Sequence, residues 1–101
     1  MEKIPIKLSP LDKKWSIEII EDLFKGKSKF SDFLKNNTGL SNRILSQRLK
    51  ELGEEGFIEK TIKSAMPMKI EYRLTEKGIS LRRALKELAM ISFKSYAKKF
   101  I

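Results

Sequence analysis

The chain has 101 residues, of which 41% are hydrophobic and 35% are charged, and its formal net charge is +9. This length suits a single domain, and so basic a domain favours a polyanionic partner: DNA, RNA or an anionic membrane surface. Cysteine and histidine are absent, which excludes disulfides, zinc fingers and catalysis by thiolate or imidazole. Without a membrane-length apolar run or a signal-peptide pattern, we expect a cytoplasmic protein with no metal or cofactor.

The chain begins with a predicted arm and a predicted helix. Pro5 and Pro10 interrupt residues 1–11, which predicts an extended arm. The first helix is predicted from about Asp12 to Phe24. Its apolar face holds Trp15, Ile19, Ile20, Leu23 and Phe24, with Ile17 at the margin, whereas Glu18, Glu21 and Asp22 are expected to face away. A place in the core is favoured over a ligand-stacking role for the tryptophan.

A short second helix and a turn are predicted next. Residues 27–30 read as an extended link or a one-bridge strand, and Ser31 is expected to cap a helix that ends near Asn36. Residues 36–39 form a turn in which Gly39 or an asparagine takes a positive φ.

The third helix is predicted over Ser41–Glu55, with Ser41 as its N-cap. Its apolar residues recur at helical spacing on one side: Ile44, Leu45, Leu49 and Leu52. The opposite side carries donors and positive charge without an acid: Asn42, Arg43, Ser46, Gln47 and Lys50. Together with the second helix it forms a helix-turn-helix, a pattern that also occurs in helical proteins that do not bind DNA.

A β-hairpin is predicted after the third helix. Residues 57–63 are β-prone, residues 64–68 are a connection with Pro67, and residues 69–74 alternate polar and apolar side chains. Directly after a helix-turn-helix, such a hairpin is a wing. The order of elements predicts a mainly α fold with a small β-hairpin (α+β), a winged helix-turn-helix whose core occupies residues 12–74.

The last segment, residues 75–101, is predicted to form a long helix from about Thr75 to Lys99. Its apolar residues cover more than the single stripe that packing on its own domain requires. We therefore expect a symmetric homodimer. The expected interface residues are Leu81, Leu85, Leu88, Ile91, Phe93 and Tyr96. The alternative is a larger contact with the first helix of the same chain.

The order of its predicted elements and several short motifs resemble those of the HxlR-type family of winged helix-turn-helix transcription regulators, relatives of the multiple-antibiotic-resistance regulator group. The resemblance lies in Lys14-Trp15, in residues 30–34, in residues 45–52 and 56–58, and in Pro67, Glu71-Tyr72 and residues 74–78. It implies a homodimeric regulator that binds double-stranded DNA with one recognition helix and one wing per subunit. Family members often carry a cysteine before the first helix, and its absence here removes thiol-based sensing.

We expect the third helix to enter the major groove, where Arg pairs with guanine and Asn or Gln with adenine. The candidates for base contact are Asn42, Arg43, Ser46 and Gln47. The candidates for backbone contact are Lys50, Lys27 and Lys29, with Lys63, Ser64 and Lys69 near the wing tip. Arg48 projects into the apolar arc, so we favour a structural role for it beside an acid such as Glu51 or Glu55. Arg82 and Arg83 are expected to be solvated.

Other function classes fit less well. The main alternative is a winged-helix protein-interaction module without sequence-specific DNA binding, but the face of the third helix lacks apolar anchors. Double-stranded RNA hides its major groove from a helix, and an enzyme would lack catalytic groups. The sequence leaves open the operator, the direction of regulation, and a small-molecule effector between the last helix and the DNA-binding unit.

Overall fold

The computed structural model describes residues 9–92, with side chains up to residue 87. The elements are α1 (Ser16–Phe24), α2 (Phe30–Asn36), α3 (Asn42–Glu54), β1 (Ile58–Ala65), β2 (Met68–Leu74) and α4 (Glu76–Ser92). The two strands form an antiparallel hairpin. Within residues 9–92, none of the helices has the length and hydropathy to span a bilayer. The predicted winged helix-turn-helix architecture is confirmed.

The core lies where the helices meet the base of the hairpin. Its buried side chains are Ile19, Ile20 and Leu23 of α1, Phe33 of α2, Leu45, Leu49 and Leu52 of α3, and Leu40, Phe57 and Ile58. In α3 these residues recur every three or four positions, so the helix buries one face and leaves the other in solvent. Leu81 of α4 packs against the same core, which makes it an intrachain contact.

The first helix begins later than predicted, at Ser16 rather than near Asp12. Trp15 adopts a left-handed backbone conformation with φ 78°, and a right-handed helix cannot continue through such a residue. The Ser16 hydroxyl instead donates to the carbonyl oxygen of Pro10 at 2.7 Å, which folds the preceding residues against the helix start. Trp15 packs against the core, as favoured.

The prediction that Asp22 faces away from the core is wrong. Its carboxylate is buried and accepts hydrogen bonds from the side-chain amides of Asn37, at 2.8 Å, and Asn36, at 3.2 Å. The Asn37 amide also donates to the carbonyl oxygen of Phe33 at 2.8 Å. A buried carboxylate is tolerated when donors satisfy it, and here these bonds fix the end of α2 to α1.

The predictions for Phe24 of α1 and Arg82 of α4 are also wrong. Phe24 is exposed rather than buried in the core. Arg82 is not a free solvated charge, because it donates two hydrogen bonds to Glu21, at 3.0 and 3.2 Å, and lies 3.8 Å above the Phe24 ring. The Arg82 guanidinium holds the pKa of the Glu21 carboxyl below its ordinary value. These contacts fasten α4 to α1.

The second helix begins at Phe30, so Ser31 lies inside the helix and is not its cap. The residue before the helix is Lys29, and the Asp32 carboxylate accepts from its backbone N–H at 3.1 Å. This bond satisfies an otherwise free donor at the helix start and lowers the pKa of the Asp32 carboxyl. The link before the helix is not a strand; the Ser28 carbonyl accepts a single hydrogen bond from the Tyr72 backbone N–H at 2.8 Å.

The two strands reach further toward the hairpin tip than predicted. Its strands extend to Ala65 and resume at Met68, so the predicted connection over residues 64–68 shortens to Met66 and Pro67. The register changes between Ile62 and Ser64, which leaves Lys63 as the extra residue of a β-bulge. Bulges bend and twist a two-stranded ribbon.

The start of α4 is locked against the base of the hairpin. Thr75 caps the helix, since its hydroxyl accepts from the Gly78 backbone N–H at 3.2 Å and donates to the Gly56 carbonyl oxygen at 2.5 Å. A Cβ on Gly78 would lie 2.2 Å from the Phe57 carbonyl oxygen, so only glycine permits this approach. The helix is described to Ser92; its predicted continuation, with Phe93 and Tyr96, lies outside the described residues.

Candidate nucleic-acid interface

The exposed face of α3 is built by its cap and its buried leucines. The Ser41 hydroxyl accepts from the Ile44 backbone N–H at 3.1 Å, as predicted for an N-cap. Because the leucines of α3 face inward, the five polar side chains of the opposite face are all exposed: Asn42, Arg43, Ser46, Gln47 and Lys50. The sequence of this face contains three amide or hydroxyl groups and two cations and no acid, which suits base edges and phosphates.

Arg48 is held by the scaffold. Its Nε donates to the Lys14 carbonyl oxygen at 2.9 Å, and its Nη1 lies 3.0 Å from a Glu51 carboxylate oxygen. Lys13 Nζ contacts the other oxygen of Glu51 at 2.5 Å. The hydrogen bond from Lys13, followed by that from Arg48, lowers the pKa of the Glu51 carboxyl. These contacts tie α3 to the segment before α1. The sequence did not predict the contacts of Lys13 and Lys14 with α3, because no local pattern joins positions so far apart.

The turn between α2 and α3 sets the start of α3. Gly39 has φ 95°, in the region that favours glycine, and the Trp15 ring lies 3.8 Å from the position of a Cβ there. Leu40 is buried, and its backbone N–H donates to the Asn37 carbonyl oxygen at 3.0 Å. The predicted positive φ at the glycine is confirmed, and the turn is packed against the tryptophan.

The wing carries its predicted cations close to its tip. Ser64 pairs with Lys69 across the hairpin, and Lys63 is the bulged residue beside them. Both lysines are exposed, whereas the serine is half-buried. Arg73, which also lies on the hairpin, forms an ion pair with Glu59.

A groove of about 570 Å³ separates α3 from the hairpin. Leu49, Ile58 and Tyr72 contribute its apolar lining, and burial raises the pKa of the Tyr72 hydroxyl. Lys50 lines it from α3 and Lys60 from β1, with Ser46, Gly53 and Glu54 completing the lining. Sequence reading missed Lys60, although its place in a strand opposite Tyr72 predicts the same face.

Two other regions bear on the sequence predictions. Lys27 and Lys29 are exposed and flank Ser28, whose carbonyl accepts from β2, so both lie beside the base of the hairpin. A concavity of about 250 Å³ lies between α1 and α4, where the sequence left room for an effector. It is lined by Ile17, Ile20, Glu21, Arg82, Leu85 and Lys86.

Together these elements define a winged helix-turn-helix protein in which α3 presents an exposed, acid-free face beside a cationic wing. The HxlR-like helix-turn-helix family matches residues 10–99. The chain belongs to this family. Its relatives YvaP and YodB are named as transcriptional regulators, not as enzymes.

Individual relatives agree with this assignment. The uncharacterized HTH-type transcriptional regulator YvaP of Bacillus subtilis is 39% identical over 79 residues, covering 78% of this chain and 73% of YvaP. The HTH-type transcriptional regulator YodB of Bacillus subtilis is 33% identical over 86 residues, 85% of this chain and 77% of YodB. Its reduced form superposes with a TM-score of 0.72 at 32% identity, over 79% of this chain and 78% of that one.

A further structural relative is the redox regulator HypR in its oxidized form. It superposes with a TM-score of 0.70 at 25% identity, over 91% of this chain and 90% of HypR. YodB has also been crystallised after diamide treatment. The 101 residues of the present chain contain no cysteine, so a thiol switch cannot operate within them.

Proposed function

We propose that the chain is a sequence-specific, double-stranded-DNA-binding transcription regulator that acts as a homodimer on an inverted-repeat operator. The observation that carries this proposal is the exposed, acid-free face of α3 on a helix whose opposite face is buried. Membership of a helix-turn-helix family of regulators supports the DNA-binding class. In this proposal Asn42, Arg43, Ser46 and Gln47 contact base edges in the major groove.

Backbone contacts surround this base-reading face. Lys50 lies one turn further along α3, and Lys63, Ser64 and Lys69 lie near the wing tip. Lys27 and Lys29, beside the base of the hairpin, are assigned to phosphates as well. Phosphate contacts release counterions, so affinity should fall with salt with a log–log slope of about −0.9 per contact.

The dimer is proposed from α4. Leu81 packs against the domain's own core, so the interface is assigned to the residues that follow it on the helix. Leu85 is half-buried, and the further candidates of the sequence prediction are Leu88, Ile91, Phe93 and Tyr96. Two α3 helices related by two-fold symmetry would meet half-sites about 34 Å apart, one turn of DNA.

Selection of duplexes from a random pool by the purified protein tests specificity and symmetry together. A palindromic consensus is expected, and a pool that does not converge would contradict sequence-specific binding. Sedimentation equilibrium at micromolar concentration tests the dimer, which a monomer would contradict.

Two variants then separate base readout from backbone contact. Arg43→Ala should cost about 1–3 kcal/mol on the selected site and relax preference at one base pair. Lys69→Ala should weaken selected and random duplexes alike and reduce the salt slope by about one contact. Arg83→Ala, at an exposed arginine of α4, is the matched control. It should leave the affinity for both duplexes and the salt slope unchanged. Equal losses on both duplexes for Arg43→Ala would count against direct readout.

A further inference from the structure

The tip of the hairpin is apolar and exposed. Met66 is 92% exposed, Met68 64% and Ile62 58%. Among the described residues these are three of the five exposed large hydrophobic side chains, and they cluster on one hairpin. Contiguous apolar surface in solvent is a feature of interaction sites, because burying it against a partner is favourable.

The surroundings of this tip restrict its partner. From residue 60 to residue 70 the chain contains three lysines, Lys60, Lys63 and Lys69, and no acid. The acids that border this segment are Glu59 on β1, which is paired with Arg73, and Glu71 on β2. An apolar tip inside a purely cationic segment complements a partner that combines apolar surface with negative charge. The DNA minor groove meets this description, since sugars form its walls and phosphates its edges.

The hairpin's register connects this tip to the α3 face. Lys60 pairs with Tyr72 and Ile62 with Ile70, so these residues share one face of the ribbon, and the first pair lines the groove beside α3. An apolar stripe therefore runs from the helix–hairpin groove along Ile62 and Ile70 toward the tip. The bulge at Lys63 bends the ribbon between that stripe and the tip.

We propose that the tip Met66–Met68 enters the DNA minor groove as an apolar wedge beside the base pairs that α3 reads, while Lys63 and Lys69 hold the flanking phosphates. This inference rests on the proposed function. Methionine and proline are among the side chains that proteins press between base steps, and methionine adapts its shape to an irregular surface. The wedge contributes affinity that does not depend on counterion release, and it disfavours the guanine amino group that projects into the minor groove.

The test uses the double variant Met66→Ser/Met68→Ser on a duplex selected by the wild-type protein. Affinity should fall on the order of tenfold, as expected for two partly buried methionine side chains. The log–log salt slope should stay unchanged, because no phosphate contact is lost. The double variant Met66→Leu/Met68→Leu keeps the apolar tip and should bind within about twofold of wild type. Lys69→Ala is the opposite control, since it lowers the slope.

The second arm places A·T, G·C or inosine·cytosine pairs at the positions flanking the α3 site. Inosine lacks the amino group of guanine, so an inosine·cytosine pair resembles G·C in the major groove and A·T in the minor groove. The wild-type protein should bind the inosine duplex as it binds the A·T duplex, and more tightly than the G·C duplex. The serine double variant should lose this preference.

The outcomes separate the two proposals. Absence of duplex binding by the wild-type protein would overturn both. Binding that depends on Arg43 but is unaffected by the serine double variant, or an inosine duplex that behaves like G·C, would overturn the wedge alone. A change of oligomeric state in the serine double variant by sedimentation would also overturn it, since the tip would then contact a second copy.

Discussion

The third helix and the hairpin follow each other in the chain, but α3 is firmly packed whereas the hairpin tip is exposed. α3 buries three leucines, is capped by Ser41, and is fastened to the segment before α1 through Arg48 and Glu51. The far half of the hairpin, by contrast, exposes Ile62 and both tip methionines. The difference indicates a firmly held α3 beside a compliant wing, because an element with few buried contacts opens at low cost.

The largest expected effect tests the buried side of α3. Leu52→Ala removes a fully buried side chain and should lower the free energy of unfolding by about 2–5 kcal/mol. Ile62→Ala, on the exposed part of the hairpin, should lower it by no more than about 0.5 kcal/mol. Urea unfolding followed by circular dichroism measures both. Similar losses for the two variants would mean that the hairpin is anchored as firmly as the helix.

The next effect concerns the joint between the hairpin base and α4. Gly78→Ala forces a methyl group against the Phe57 carbonyl, so the helix must shift, at a cost of about 1–3 kcal/mol. Ser80→Ala in the same helix is exposed and should change stability by no more than about 0.5 kcal/mol, which isolates the contact from helix propensity. Thermal unfolding compares the two. An alanine at position 78 that stabilises the protein would contradict the tight approach.

The two arginines of α3 sharpen the comparison within one helix. Arg48→Met removes the link to the Lys14 carbonyl and Glu51, and should cost about 1–2 kcal/mol of stability. Arg43→Met touches an exposed side chain and should leave stability within about 0.5 kcal/mol. Chemical unfolding of both variants measures the difference. If Arg43→Met proves the more destabilising, the assignment of scaffold and reader is reversed.

Periodicity made the order of elements and the inner face of α3 predictable. The spacing of Leu45, Leu49 and Leu52 implies a buried stripe, and a hairpin after two helices implies a wing. Ser41 was predictable as a cap because the bond it makes is local. The features that the sequence predicted are therefore those that residues close together in the chain determine.

The failures concern contacts between distant positions. Asp22 looks like a solvent residue by helical spacing, and its burial follows from two asparagines on another element. Arg82 and Glu21 are separated by 61 positions, so sequence spacing does not predict their pairing. The late start of α1 has the same origin, since the left-handed Trp15 is held by packing on the core and on Gly39. Tertiary structure overrode local preference at each of these positions.

The smallest expected effect is the pH dependence of stability that arises from the contacts of Glu51 with Lys13 and Arg48. The pKa of its carboxyl is lowered from the ordinary value of 4.5, first by Lys13 and then by Arg48. A depressed folded-state pKa stabilises the protein above the unfolded value, and this contribution disappears as pH falls through the folded-state pKa. At neutral pH Glu51→Gln should therefore be less stable than wild type, by about 1 kcal/mol.

The difference between wild type and Glu51→Gln should shrink steadily as the pH is lowered from about 5 toward 3. Urea unfolding at each pH measures it, and the difference isolates one carboxyl because Glu21 and Asp32, whose pKa values are also lowered, titrate in both proteins. Glu54→Gln, at an exposed acid of the same helix, is the matched control and should leave stability at neutral pH within about 0.5 kcal/mol of wild type. A constant difference across this range would mean that Glu51 supports α3 through packing rather than charge, and the contrast with the wing would then rest on the buried leucines.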